Sequence, residues 1–271
     1  MRLLLRIEAA HTGRGREIAK HVEINMPVFD AIFFDVGSTL IPSAKIIHQA
    51  AGTACQKLAQ SGLLPEARSF FLGYLQADAR VNPQHISHIY SDILIVEEAG
   101  RVTGLPMDLR RTVSFLSAYR DALRAQIKPS KKIVQLFQTL QNLGIHRGII
   151  SDGSAEGQGE VLARLGLLPL ISPGLLFISG AAGCTKDNPE IYRRAVAAAS
   201  VSAERALMIG DRIDVDVAVP QSVGMKAVLL RAHPAPPFVP AGLTHRYAAV
   251  RPEEVFESWG KLDSWLKRRV Q

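Results

Sequence analysis

The stretch Ala31-Ile-Phe-Phe-Asp35-Val-Gly37-Ser-Thr39-Leu-Ile41 decides how the rest of the chain is read. Its apolar, aromatic-rich opening has the length and composition of a buried strand, and it stops on a carboxylate followed by small residues suited to a turn. A carboxylate at the carboxyl end of a buried strand stands at a sheet edge, where it either reacts or binds a metal. Two residues on, where a second carboxylate would complete an acid/base pair, stands Gly37.

Outward from Asp35, short apolar runs alternate with amphipathic segments, which predicts an α/β fold with a parallel sheet flanked by helices. Strands are expected at Phe29–Asp35, His146–Ser151, Leu175–Ser179, Ala206–Gly210 and Lys226–Arg231, with a weaker one at Arg246–Val250. Ser130 is placed to cap a helix bearing Ile133, Leu136, Phe137, Leu140 and Leu143 and stopped by Gly144. Further helices are expected at Glu156–Leu165, Pro189–Ala199, Val215–Val223 and Glu253–Lys267.

Residues 44–127 interrupt this alternation. They contain no strand-like run and carry helical stripes such as Leu63/Phe70/Phe71/Tyr74 and Ile86/Ile89/Ile93/Val96, broken near Asn82–Pro83 and Gly104–Pro106. An all-helical insertion leaving from the end of the first strand would stand over the edge where ligands bind in open α/β sheets. Its histidines, His48, His85 and His88, read as surface residues.

Composition narrows the functional classes. With 47% apolar residues in 271, the chain can bury a sizeable core. Cys55 and Cys184 match no metal-ligand spacing and imply neither a disulfide scaffold nor a zinc site, which fits a cytoplasmic setting. A net charge of +7 is spread without a dense basic block, so no nucleic-acid partner is expected and an anionic small molecule is. No run approaches the roughly 20 apolar residues of a membrane span, so no membrane partner is expected either. Residues 1–25, with Arg2, Arg6, Arg14, Arg16 and Lys20 against Glu8, Glu17 and Glu23, read as a loosely ordered extension preceding Met26.

Four polar clusters fall at or just beyond the ends of four expected strands: Asp35; Ser151-Asp152-Gly153; Lys186; and Gly210-Asp211-Arg212 with Asp214 and Asp216. On FFDVGSTLI, GIISDGS, GCTKDNPEIYRRA and LMIGDRIDVDVAVPQSVGMKAVLL, the chain resembles the haloacid dehalogenase-like (HAD) phosphohydrolases from about Met26 to Trp259. The resemblance implies a Rossmann-like core over residues 26–43 and 128–271, and a helical cap of the C1 type over 44–127, as in the phosphoglycolate-phosphatase-like branch. It also implies phosphoryl transfer from a small phosphorylated substrate to Asp35 as nucleophile. Asp35, Asp211, Asp216 and the carbonyl of Gly37 would serve Mg²⁺, a hard ion that takes oxygen ligands. Ser151 and the backbone of Asp152 and Gly153 would hold the phosphoryl oxygens, and Lys186 would neutralise both substrate and carboxylates.

Against that pattern, Gly37 stands where phosphatases of the family carry the Asp that protonates the leaving oxygen. Three readings follow: a phosphatase with an atypical acid/base step; a phosphonate- or halide-cleaving hydrolase; or a non-enzymatic binding or regulatory module. The second is weakened by the absence of lysine between Lys57 and Lys128 and by the retained acidic cluster, whereas Asp152 and Asp187, in place of the usual Asn and Pro, favour the third. The oligomeric state is read as monomer or homodimer.

Overall fold

The computed structural model describes residues 28–81, 92–233 and 250–270; the expected extension 1–25 lies outside them. Strand β1 (Ala31–Phe34) leads through the turn 35–41 into four helices, α1 (Ser43–Gln60), α2 (Ala67–Val81), α3 (Asp92–Thr103) and α4 (Leu109–Gln126). The chain then alternates: α5 (Lys131–Asn142), β2 (His146–Ser151), α6 (Ala155–Arg164), β3 (Leu176–Ile178), a single turn α7 (Ser179–Ala182) and α8 (Pro189–Ala199). It continues through β4 (Ala206–Gly210), a π-helical turn at Ile213–Ala218, α9 (Val219–Ser222), β5 (Lys226–Leu230), β6 (Val255–Phe256) and α10 (Trp259–Val270).

The six strands form one parallel sheet in the order β3-β2-β1-β4-β5-β6. A parallel sheet covered on both faces buries its central strands throughout, which is why β1 and β4 read as unbroken apolar runs. Alternation along the strands then sorts the side chains. Ile32, Phe34, Leu207, Ile209, Val228 and Leu230 pack with α5, α6 and α10, while Ala31, Phe33, Ala206, Met208, Ala227 and Leu229 pack with α8. From β1 the chain builds outward to β3 and then returns to the other side of β1, so the switch point lies between β1 and β4. Crevices at such a point, beyond the carboxyl ends of the strands, are where ligands bind in this architecture.

Several expected elements are corrected. The helix expected at Glu253–Lys267 begins only at Trp259, because Val255 and Phe256 extend the sheet instead: the Leu229 and Arg231 N–H groups donate to the carbonyls of Glu254 and Phe256 at 3.0 and 2.7 Å. The sixth strand is therefore not the weak one expected at Arg246–Val250, of which only Val250 is described, and not as strand. In place of a single helix over Val215–Val223 there is the π-helical turn followed by α9, whose second residue is Pro220. Ser130 occupies the position before α5 but its hydroxyl makes no capping bond. Gly144, by contrast, ends that segment in the left-handed conformation at φ 72°.

Helices α1–α4 bury a core of their own, with the rings of Phe70, Tyr74, Phe115 and Tyr119 packed at centroid distances of 5.6–6.4 Å. Of the expected stripes, Phe70, Tyr74 and Val96 are buried and Ile93 is exposed, while Ile86 and Ile89 lie outside the described residues. His48 meets Asp78 at 3.3 Å; His85 and His88 are also outside the described residues. The turn leaving β1 is pinned from the other layer by Trp259, whose ring stacks on Phe34 and whose indole N–H donates to the Thr39 carbonyl at 3.1 Å.

Candidate active site

Strand register brings the first two carboxylates together. Phe34 pairs with Ile209, and the Asp35 N–H donates to the Ile209 carbonyl at 2.9 Å, so Asp35 leaves the sheet beside Gly210 and Asp211. On the other flank β2 ends at Ser151, whose hydroxyl lies 3.2 Å from Asp35 Oδ1 and 3.4 Å from the Asp152 carbonyl. Lys186, in the loop after α7, is buried and bridges the cluster: its Nζ donates to Asp35 Oδ1 at 2.6 Å and to Asp216 Oδ1 at 2.8 Å.

Asp216 reaches this position because the π-helical turn widens the chain after β4. Its second oxygen accepts the Arg212 N–H at 3.1 Å, and its carboxylate lies flat against Gly210. A Cβ on Gly210 would stand 2.2 Å from Asp216 Cγ, so only glycine admits the side chain there. π-Helical turns of this kind concentrate at functional sites.

One carboxylate oxygen from each of Asp35, Asp211 and Asp216 falls within 4.8 Å of the others. Three carboxylates against one ammonium leave an excess of negative charge in a buried place. The electrostatics show the cost: burial, reinforced by Asp35 and Asp216, pushes the Asp211 carboxyl up to about 8, and burial raises Asp216 despite Lys186. Burial works against the Lys186 charge, but Asp216 and Asp35 outweigh it and hold the ammonium well above its ordinary range. Crowded, oxygen-only donors of this kind fit a hard divalent cation, which would relieve the repulsion.

The remaining expected residues divide. Asp152 turns its carboxylate back to accept the Lys186 backbone N–H at 3.0 Å, so it holds the lysine loop. The Gly153 N–H, expected to face a phosphoryl oxygen, donates instead to Ser179 Oγ at 3.0 Å. Asp214 stands apart from the cluster: burial opposes its charge, but the Arg212 guanidinium and nearby backbone N–H groups hold its carboxyl below the usual range. Gly37 keeps its carbonyl, and a Cβ built there would meet only Ser43 Oγ, at 3.3 Å.

Sequence reasoning missed four contributors, among them Ser179, Arg212 as the donor to Asp216, and Tyr192, whose buried hydroxyl donates to the Val215 carbonyl and supports the π-helical turn. Tyr192 stands on the apolar face of α8, where periodicity reads it as plain core. Ser43, the first residue of α1, was missed as well; its Oγ accepts the Ser38 N–H at 3.0 Å.

A family profile for haloacid dehalogenase-like hydrolases matches residues 29–224. Glyceraldehyde 3-phosphate phosphatase from Methanopyrus kandleri is 29% identical over 202 residues, which is 74% of this chain and 83% of the relative. Phosphoserine phosphatase from Thermus thermophilus is 29% identical over 133 residues, about half of each chain. Among solved structures, the magnesium-bound HAD-hydrolase YfnB from Bacillus subtilis superposes with a TM-score of 0.64 at 20% identity, covering 88% of this chain and 98% of that one. A 2-haloacid dehalogenase from Pseudomonas syringae superposes at 0.59 with 19% identity, covering 89% and 99%. The structural likenesses agree with the parallel sheet flanked by helices, and on the profile match the chain belongs to the haloacid dehalogenase-like hydrolase family.

Proposed function

We propose that the protein is a Mg²⁺-dependent phosphohydrolase that takes the phosphoryl group of a small metabolite onto Asp35 and passes it to water. The observation that carries this reading is the buried Lys186 ammonium bridging Asp35 and Asp216 beside Asp211. That arrangement fixes a carboxylate in the presence of like charge and leaves Asp35 Oδ2 without a protein donor among the described residues.

Attack by Asp35 forms a carboxylate oxygen–phosphorus bond and breaks the bond to the leaving oxygen; water then attacks phosphorus and frees the carboxylate. Lys186 and the Ser151 hydroxyl hold Asp35 and offer positive charge and a hydrogen bond to equatorial oxygens. Asp152 orients the Lys186 backbone. Asp35, Asp211, Asp216 and the Gly37 carbonyl would hold Mg²⁺, with Asp216 also anchoring Lys186. When bound, the ion would offset repulsion between the phosphoryl dianion and the carboxylates. Helices α1–α4 would act as the cap that selects the substrate, since α1 begins directly after the catalytic turn.

Gly37 gives this phosphatase an atypical acid/base step. General acid/base catalysis contributes about 10²–10⁴-fold, so turnover should favour phosphates whose leaving group departs without a proton. The test is Mg²⁺-dependent phosphate release from p-nitrophenyl phosphate, an acyl phosphate, glyceraldehyde 3-phosphate and phosphoserine, for wild type beside Asp35→Asn. Aryl and acyl phosphates are expected to be cleaved at least tenfold faster than alkyl esters, with Asp35→Asn inactive on all. Equal rates for wild type and Asp35→Asn would move the protein to the binding-module reading.

A further inference from the structure

We propose that Ser43 is a further catalytic residue, its hydroxyl donating a hydrogen bond to the leaving-group oxygen from the space that a side chain at position 37 would fill. The inference rests on the phosphohydrolase reading above and deepens it.

Alternation along the first strand sets the direction. Ile32, Phe34 and Val36 enter one apolar cluster together, whereas Ala31 and Phe33 enter the opposite one. Asp35 and Gly37 therefore share the side that Val36 does not face. A group standing where the Gly37 Cβ would point is on the Asp35 side of the chain, and Ser43 Oγ lies 3.3 Å from that position.

The hydroxyl is also oriented. Ser43 Oγ accepts the Ser38 N–H at 3.0 Å, and Ser38 holds a left-handed conformation at φ 55°, which is uncommon for a residue with a side chain. That bond occupies acceptor capacity and leaves the hydroxyl hydrogen with no acceptor among the described residues. A neighbouring N–H that donates into the oxygen makes the hydroxyl a better donor in turn. The position suits the reaction: in-line transfer puts the leaving oxygen across phosphorus from Asp35 and away from the strand ends, and Ser43 is the first residue of the helix that follows the turn after Asp35.

A serine hydroxyl is too weak an acid to hand over its proton near neutral pH. As the phosphorus–oxygen bond breaks, its electron pair passes to the leaving oxygen, which Ser43 stabilises by hydrogen bonding and which takes its proton from water. Ser43 should therefore matter most for basic leaving groups, and its removal should steepen the dependence of rate on leaving-group acidity.

The experiment measures kcat and KM with Mg²⁺ on p-nitrophenyl phosphate and on phenyl phosphate, for wild type, Ser43→Ala, Ser43→Thr and Asp35→Asn. Ser43→Ala is expected to lose about tenfold in kcat on phenyl phosphate and less than about threefold on p-nitrophenyl phosphate, with KM little changed. Ser43→Thr keeps a hydroxyl on the same carbon and should stay within about threefold of wild type on both, which separates donation from loop integrity. An equal loss on both substrates for Ser43→Ala, with Asp35→Asn inactive, overturns the Ser43 role and leaves the phosphohydrolase reading standing. A Ser43→Thr protein as impaired as Ser43→Ala, with an unchanged thermal transition, overturns it too. Wild-type rates in Asp35→Asn overturn both.

Discussion

At the scale of single residues, the acidic cluster trades stability for a place to bind charge. Asp211 sits half-buried beside Asp35 and Asp216, and its carboxyl is pushed up to about 8 first by loss of solvent and then by those neighbours. Its ionised form is therefore a cost to the metal-free protein at neutral pH, as strained polar clusters at functional sites generally are. Asp211→Asn removes the charge while nearly keeping the shape. In the presence of a chelator the variant is expected to be more stable than wild type by roughly 1 kcal/mol, or about 2–4 °C in Tm for a chain of this size. With Mg²⁺ at about 100 times its dissociation constant, wild type should gain about 2.7 kcal/mol and the variant little, so the order reverses. Thermal unfolding with and without Mg²⁺ checks both halves; a variant that still gains from Mg²⁺ would remove Asp211 from the cation site. Much of this cluster was legible from the chain, since Asp35, Ser151, Lys186 and Asp211 each end a readable strand or follow one closely. The partners of Asp152 and Gly153 were not: both bonds depend on where the loop bearing Lys186 and the short turn at Ser179 return in space. Ser43 was hidden for a similar reason, being eight residues from Asp35 and marked by no motif.

At the scale of elements, the central strands carry a constraint that periodicity does not reveal. Gly148 pairs with Phe33 across β1 and β2, and a Cβ there would stand 2.3 Å from the Phe33 ring and 3.1 Å from the Leu175 carbonyl. The ring lies over the strand where the side chain is missing. Gly148→Ala should force Phe33 off its site and cost about 1–3 kcal/mol, read as a lower urea midpoint with little change in slope. At the opposite end of β1 from the turn that carries Asp35, Asp30 ties the entry of the strand to the residue preceding β4 through Arg205, which also gives the Asp30 N–H its acceptor at 2.9 Å. The hydrogen bond to Arg205 is the main cause holding the Asp30 carboxyl below its usual range. A depressed folded-state value means that stability is present above the unfolded value, near 4, and is lost as pH falls through the lower folded one. The pair is partly exposed, so Arg205→Ala should cost only about 0.5 kcal/mol at pH 7. That difference should shrink as the pH falls below about 4, measured by urea unfolding across the range; a constant difference would show that packing rather than charge is lost. The long strands could be read because a continuous apolar run between turn residues, too short for a helix, fits little besides a buried strand. β6 could not, because two residues at the sheet's edge carry no period and sit directly before a strongly amphipathic helix.

At the scale of the whole molecule there are two apolar bodies, one wrapped around the sheet and one inside α1–α4, and Leu123 is the only described residue packed against both the helical core and the sheet core on the α5 side. Apart from polar ties such as Arg124–Glu160 at 2.8 Å, little joins the two, so helices α1–α4 are expected to open at a free energy below that of global unfolding. The two cysteines report on it. Cys55 is 1% exposed within the helical core, with burial pushing its thiol up to about 12, while Cys184 is half-buried in the loop before Lys186. An excess of thiol reagent should label Cys184 promptly and Cys55 slowly, because a buried, protonated thiol does not attack. If the helical body opens by itself, Cys55 labelling in low denaturant should accelerate while the backbone amides of β1 keep their protection from hydrogen exchange. Labelling that appears only as β1 loses protection would mean that the two bodies unfold together. The first outcome would also mean that helices α1–α4 move on a free-energy scale separate from the sheet, so they could open without changing the geometry of Asp35, Lys186 and Asp211.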